Sequence, residues 1–288
     1  MAIQPRSLSG KVVAITGGGR GIGRSIAEAL TREGARVAIG DLDRESAERT
    51  AAALGSNAIA LGLDVTDHAG FTAFLDEVER SLGPLDVLVN NAGIMPVTPL
   101  SEESSDSVAR QLDINLHAVI HGTQEAMRRM VPRGTGHIVN VASIAGRSGF
   151  PHLATYCATK HGVVGLSEAV RQELRGTGVE MSVVMPSLVR TELATGLADS
   201  RVKVIGPEVV ASEVVSALKV PRFDVFVPRS NALLVQFTSP LPRRWREALG
   251  RWLKADQALL KADRSARTDY EARAAASAPA AEGERTAA

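Results

Sequence analysis

Three observations predict an α/β fold, a doubly wound parallel sheet of seven strands with helices on both faces. Seven short runs rich in Val, Ile and Leu recur along the 288 residues. Helical patterns separate most of them, and alternation at these lengths implies right-handed crossovers between parallel strands. The runs are also near-continuous in apolar residues, as expected of strands covered on both sides.

The first strand, residues 11–16, is built on Val12-Val13-Ala14-Ile15. It enters the turn Thr16-Gly17-Gly18-Gly19-Arg20-Gly21-Ile22-Gly23 and then a helix over 21–33. The second strand, 36–40, is Arg36-Val37-Ala38-Ile39-Gly40 and ends at Asp41. A helix over 44–54 leads to a strand at 58–63, and a helix over 68–82 to a strand at 85–90. One long helical pattern, 102–130, precedes the strand 136–142, Gly136-His137-Ile138-Val139-Asn140-Val141-Ala142. Helices over 154–175 and 207–218 then lead to strands at 179–185 and 223–227. The expected strand order is 3-2-1-4-5-6-7, with a ligand crevice at the carboxyl ends.

Residues 1–239 are expected to form one domain, with a substrate loop near 187–206. A chain of this length can bury one large core. The net charge of +1 gives no electrostatic case for nucleic acid. The single cysteine, Cys157, precludes an intramolecular disulfide framework and fits a reducing compartment. No apolar segment precedes the first strand and none reaches transmembrane length, so a cytoplasmic location is expected. Residues 240–261 read as an amphipathic basic helix, with Trp245, Leu249, Trp252, Leu253 and Leu260 on one face and arginines elsewhere. That stretch could meet an anionic membrane surface or cover an apolar seam. The Ala-rich tail, 262–288, is expected to lack structure because it has little to bury.

The glycine turn lets backbone N–H groups and a helix N-terminus meet a pyrophosphate. Glycine suits Gly17, Gly21 and Gly23, where a Cβ would obstruct close approach. Asp41 lies where a carboxylate would meet an adenosine ribose. Tyr156 and Lys160 share one helix face a turn apart. A free tyrosine is a poor base at neutral pH, and a neighbouring ammonium favours its phenolate. Ser143 ends the fifth strand, thirteen residues before Tyr156, and Asn115 sits in a helical pattern where asparagine has no intrinsic advantage. The histidines show no metal-ligand grouping, so no metal is expected.

With Asn90-Asn91-Ala92-Gly93, Asn115, Ser143 and Tyr156-Cys157-Ala158-Thr159-Lys160 in this order after the glycine turn, the chain resembles the short-chain dehydrogenase/reductase family over roughly residues 8 to 230. The resemblance implies a Rossmann-like fold and a catalytic tetrad of Asn115, Ser143, Tyr156 and Lys160. It implies that Thr16, Gly17, Arg20, Gly21, Ile22 and Gly23 surround the cofactor phosphates. Asp64 and Val65 match the adenine-contacting pair, and Asn91, Ala92 and Gly93 the loop beside the adenosine ribose. Pro186, Val189 and Thr191 match the nicotinamide side, which Tyr156 and Lys160 also face. Asp41 favours NAD, because a 2′-phosphate would meet its charge; Arg20 pulls toward NADP.

The chain departs from the family pattern at Pro186-Ser187, where Pro-Gly is usual. After the seventh strand it carries Arg229-Ser230-Asn231, not the Gly-rich segment that builds a tetramer seam. A homodimer or homotetramer is nevertheless expected. The apolar loop residues Leu188, Val189, Leu193, Leu197, Val202 and Val204 favour a hydrophobic substrate, such as a steroid, retinoid or fatty alcohol. The activity implied is interconversion of an alcohol with its ketone or aldehyde. The alternative is a catalytically silent NAD(P)-binding sensor of the same fold.

Overall fold

A computed structural model describes residues 4–196, 204–232 and 265–276, and residues 237, 242, 244, 245 and 260 besides. Seven strands form one sheet: β1 (Val12–Thr16), β2 (Arg36–Asp41), β3 (Ala58–Gly62), β4 (Val87–Asn90), β5 (Gly136–Val141), β6 (Val179–Pro186) and β7 (Asp224–Val227). The order is β3-β2-β1-β4-β5-β6-β7 and every pairing is parallel. Fold class and strand order therefore agree with the sequence reading.

Parallel neighbours need long crossovers. They are made by α1 (Gly21–Arg32), α2 (Arg44–Leu54), α3 (His68–Leu82), α4 (Ser105–Leu112), α5 (Ala118–Met130), α6 (Ala154–Glu173) and α7 (Pro207–Lys219). Asp43 and Asp67 cap α2 and α3, accepting from the Ser46 and Gly70 amides. Successive strand residues face opposite sides. Val13 and Ile15 thus join one core with Ile26 and Leu30 of α1 and Val210 and Val214 of α7. Val12 and Ala14 join the other, with Phe71 and Leu75 of α3 and Val163 of α6.

The single helix expected over 102–130 is interrupted. A 3₁₀ turn at Leu100–Glu102 is followed by α4, then a π turn at Asp113–His117, then α5. Asn115 lies in the π turn and is fully buried. Its amide donates to Ile94 O at 2.9 Å and its Oδ1 accepts from the Ile94 amide at 2.8 Å. The extra residue in the turn accompanies this aim at a loop beyond the helix; such bulges concentrate at functional sites.

Residues 265–276 correct the expectation of an unstructured tail. They form a 3₁₀ turn at Ser265–Arg267 and a helix, α8 (Thr268–Ala276), with Arg267, Tyr270 and Ala274 buried. Composition misleads here because polar clips to backbone groups of the domain hold the segment, not a broad apolar face. Most of the basic stretch 240–261 lies outside the described residues, although Trp245 is described and exposed. Among the described residues no helix is long and apolar enough to cross a membrane.

Beneath the site a buried polar chain joins β4, β5 and α6. Asn90 donates to Asn140 Oδ1 at 2.9 Å, Asn140 to Ser167 Oγ at 3.0 Å, and Ser167 to Val163 O at 2.7 Å. Helix α5 approaches this chain closely at Gly122. A Cβ there would run into Asn90 Oδ1 and stand 2.8 Å from the Phe71 ring. Gly122→Val is therefore expected to destabilise the fold by about 2–3 kcal/mol through overpacking. A urea midpoint equal to that of the wild type would contradict the close approach.

Candidate active site at the carboxyl ends of the strands

The carboxyl ends of β1 and β4 are locked together. Thr16 Oγ1 accepts from the Asn91 and Ala92 amides at 3.0 and 3.1 Å. The Asn91 side-chain amide donates to Thr16 O and Gly17 O, both at 2.9 Å. Gly17 has a φ of +64°, and a Cβ on it would lie 2.9 Å from Ala92 Cα. At Gly23 a Cβ would run into Gly17 O and stand 2.6 Å from Asn91 Nδ2. Gly21 and Ile22 open α1 at the turn, aiming its free N–H groups over the strand ends.

Asp41 ends β2 with both oxygens engaged. Oδ2 accepts from the Gly19 amide at 2.8 Å and Oδ1 from the Asp43 amide at 3.0 Å. The carboxylate therefore sits against the glycine turn. Arg20 is engaged by other carboxylates. Its guanidinium reaches Asp43 Oδ2 at 2.5 Å and Glu192 Oε2 at 3.4 Å. Asp64 follows β3 and accepts from the Thr66 amide and hydroxyl. Val65 is buried beside Thr16, Asn90 and Ala92. Pro186 ends β6, and Val189 makes a bridge to Ile205. The Thr191 methyl would lie 3.4 Å from a Cβ on Gly21, so this loop abuts the glycine turn. Ser187 continues the strand register, donating to Val227 O at 2.8 Å without left-handed backbone.

The four tetrad positions lie close together. Tyr156 and Lys160 lie on α6, with Lys160 Nζ 5.7 Å from the Tyr156 ring centre and both residues buried. A Cβ on Gly93 would stand 3.1 Å from Asn115 Oδ1 and 3.6 Å from Lys160 Nζ, so both groups flank the same point. Ser143 Oγ accepts from the Ala145 amide at 3.1 Å, and its hydroxyl lies near enough to the Tyr156 phenol to favour the ionised form. Lys160 donates to Val141 O at 3.0 Å.

One electrostatic expectation is corrected. The sequence suggests that Lys160 lowers the Tyr156 phenol, but burial dominates and raises it, with the Ser143 hydrogen bond pulling the other way. The phenol is buried in an apolar cluster with Met95, Val97, Leu153 and Cys157, which disfavours the phenolate. Burial likewise lowers Lys160, to about 8.

Sequence reasoning missed the residues that close the site from outside. Glu192 pairs with Arg20 and with Arg273 of α8, the latter at 2.8 Å. Tyr270 Oη accepts from the Met95 amide at 2.7 Å. Arg267 donates to Met95 O, Leu193 O and Thr195 O at 2.8–2.9 Å. A signal for Tyr270 was present: the chain has two tyrosines, and the second stands in the otherwise Ala-rich tail. Among the described residues no group of three His, Cys, Asp or Glu is placed to hold a metal ion.

The chain matches the short chain dehydrogenase family model over residues 11–202. It is 41% identical to a sorbitol dehydrogenase of Cereibacter sphaeroides over 186 residues, 64% of this chain and 73% of the relative. It is 32% identical to a 3-oxoacyl-acyl-carrier-protein reductase of Haemophilus influenzae, over 78% of this chain and 93% of the relative. A crystal structure of a short chain dehydrogenase/reductase from Burkholderia phymatum in complex with NAD superposes with a TM-score of 0.75 at 29% identity, covering 80% of this chain and 93% of the other.

Lys160 makes the site's burial measurable. Its folded value is about 8 against an ordinary 10.5. Between these values the unfolded chain binds a proton that the folded chain does not, so stability rises with pH across that window. The urea midpoint of the wild type is expected to gain on that of Lys160→Met as pH rises from about 8 to about 10. Parallel pH dependences would show that Lys160 is solvated in the folded state.

Proposed function

The chain belongs to the short-chain dehydrogenase family, and from that premise we propose that it is an NAD-dependent dehydrogenase interconverting a hydrophobic alcohol and its ketone or aldehyde. The observation that carries this reading is the convergence of Ser143, Tyr156, Lys160 and Asn115 on one buried region beside the loop after β4. Ser143, Tyr156 and Lys160 keep groups that can move a proton or hold an oxygen, and Asn115 holds the Ile94 backbone beside them. That intact set disfavours a silent nucleotide sensor.

The turn fits a dinucleotide. A Cβ at Gly17 or Gly23 would obstruct the turn or its clamp, and the α1 N-terminus faces the crevice. Thr16, Gly17, Arg20, Gly21, Ile22 and Gly23 would surround the phosphates. Asp64 and Val65 would flank adenine, and Asn91, Ala92 and Gly93 the adjoining ribose. Pro186, Val189 and Thr191 would meet the nicotinamide side. Two features support NAD over NADP. The Asp41 carboxylate is held against the glycine turn by two backbone amides, and a 2′-phosphate bound beside it would meet its charge. Arg20 is already paired with Asp43 and Glu192, which weakens the case that it would receive that phosphate.

When bound, the nicotinamide accepts hydride from an alcohol carbon or donates it to a carbonyl carbon. Tyr156 Oη gives a proton to the carbonyl oxygen or takes one from the alcohol. Because burial favours the neutral phenol, Tyr156 holds its proton at neutral pH, the state needed for reduction. Ser143 holds the substrate oxygen beside Tyr156. Lys160 orients the nicotinamide ribose and, with Asn115, leads protons toward solvent. Met95, Val97, Phe150, Leu153 and Leu193 supply the apolar surroundings that favour a hydrophobic substrate. The same reading has the protein working in the cytoplasm as a homodimer or homotetramer. The Trp- and Arg-rich stretch 240–261 would be the place for any membrane contact, on sequence grounds.

Absorbance at the nicotinamide band, followed with a panel of alcohols and ketones, tests the activity. Tyr156→Phe is expected to lower kcat about 10²–10⁴-fold while leaving NAD binding intact. Alcohol oxidation should accelerate with rising pH, because it needs the scarce ionised phenol, while carbonyl reduction should stay level, because the buried phenol keeps its proton across that range. Asp41→Ser should raise the kcat/KM for NADP relative to NAD by at least tenfold. Undiminished turnover in the phenylalanine variant would remove Tyr156 from the mechanism, and an unchanged cofactor ratio would remove Asp41 from cofactor choice.

A further inference from the structure

Helix α8 reaches the pocket from a part of the chain that the family model does not cover, since that match ends at residue 202. Its attachment is specific. Arg267 is fully buried, and its guanidinium is met on every side. It donates to Met95 O in the loop after β4 and to Leu193 O and Thr195 O in the loop after β6. Its Nε pairs with Glu271, and its charge lies 5.1 Å from the Tyr270 ring centre. A buried guanidinium is tolerated only when its donors are satisfied in this way. The two loops it ties together are those that carry Met95 and Leu193 into the apolar cluster around Tyr156.

Tyr270 is the side chain that this clip delivers. Its hydroxyl takes the Met95 amide at 2.7 Å, so the phenol is tied to a member of the same cluster. Tyr270 and Tyr156 are both buried, and Met95 joins them, packing in the Tyr156 cluster while its amide donates to Tyr270 Oη. On the far side of the loop, Arg273 holds Glu192, which also reaches Arg20 of the glycine turn. The helix therefore spans the pocket from the loop after β4 to the cofactor turn. His152, in left-handed backbone with a φ of +61°, accepts the Thr98 amide on its carbonyl at 3.0 Å, which ties the segment before α6 to the loop after β4.

We propose that Tyr270 is a specificity-determining residue, forming the outer wall of the substrate pocket above Tyr156, with Arg267 as the positioning residue that clips it in place. This rests on the dehydrogenase reading and narrows it. The substrate is a free, compact, apolar alcohol or ketone that fits beneath α8. Steroid- or retinoid-sized molecules, and acyl chains tethered to a carrier protein, require α8 to be displaced.

The test compares kcat/KM for a compact secondary alcohol, 2-pentanol, with that for a 3-hydroxysteroid, in the full-length wild type, Tyr270→Ala and Tyr270→Phe. Tyr270→Ala is expected to shift the ratio at least tenfold toward the steroid, while Tyr270→Phe, which keeps the ring, stays within a few fold of the wild type. Tyr270→Leu takes the place of the alanine variant if that does not fold. Cys157, the only cysteine and a member of the same cluster, gives a readout independent of turnover. Its labelling by an aromatic disulfide should be at least tenfold faster in Tyr270→Ala than in the wild type at the same pH. An unchanged substrate ratio overturns the proposal whatever the labelling rate. If no variant turns over any alcohol or ketone, the dehydrogenase reading falls. Labelling then decides the position of Tyr270 alone, and an unchanged rate overturns it.

Discussion

The clamp between β1 and β4 is the constraint on which the rest depends. In a doubly wound sheet the chain leaves these adjacent strands in opposite directions, and a crevice opens between the two exits. Thr16 and Asn91 close the floor of that crevice with four hydrogen bonds to backbone groups. Space for those bonds exists because Gly17 and Gly23 carry no Cβ. Backbone groups that would otherwise stand unpaired at a buried strand end are thereby satisfied. The turn that would cradle phosphates and the loop that carries Gly93 toward Lys160 are held in one frame.

Burial sets the chemistry of the pocket next to that frame. Tyr156 and Lys160 are both removed from water, and desolvation pushes each toward its neutral form. The hydrogen bonds nearby select which atoms stay engaged. Val141 O takes the Lys160 ammonium, and Ser143 meets the phenol. Asn115 spends its amide on both backbone groups of Ile94, which places the π turn of the α4–α5 connection against the loop beside Lys160. Proximity on a helix face is thus a weaker determinant of Tyr156 than the apolar cluster around it.

The outer boundary of the site is electrostatic as well as apolar. Glu192 lies between Arg20 of the glycine turn and Arg273 of α8. These exposed pairs contribute little to stability individually. Their geometry nevertheless links the cofactor side of the crevice to the segment that covers Tyr156. The buried Arg267 carries the attachment itself, through backbone carbonyls of two loops whose sequences need not be conserved in type for the bonds to form.

The sequence by itself determined the sheet, its strand order, and the residues gathered at the carboxyl ends of its strands. Apolar runs such as Val12-Val13-Ala14-Ile15 and the glycines after them encode local backbone geometry, and the crossover rule turns their order into a topology. Asp41, Tyr156 and Lys160 were legible because strand ends and one helix turn place them without reference to distant contacts. The interruption of the 102–130 helix was not legible, since the π turn depends on Ile94 lying across from Asn115. The Tyr156 environment was not legible either, because desolvation arises from all the elements packed around a group. Helix α8 was misread for the same reason. Composition reports how much apolar surface a segment can bury, whereas Arg267 and Tyr270 are held by carbonyls and an amide of loops more than 70 residues away in the chain. Only the tertiary structure, which brings those backbone groups to one place, could decide what covers the site.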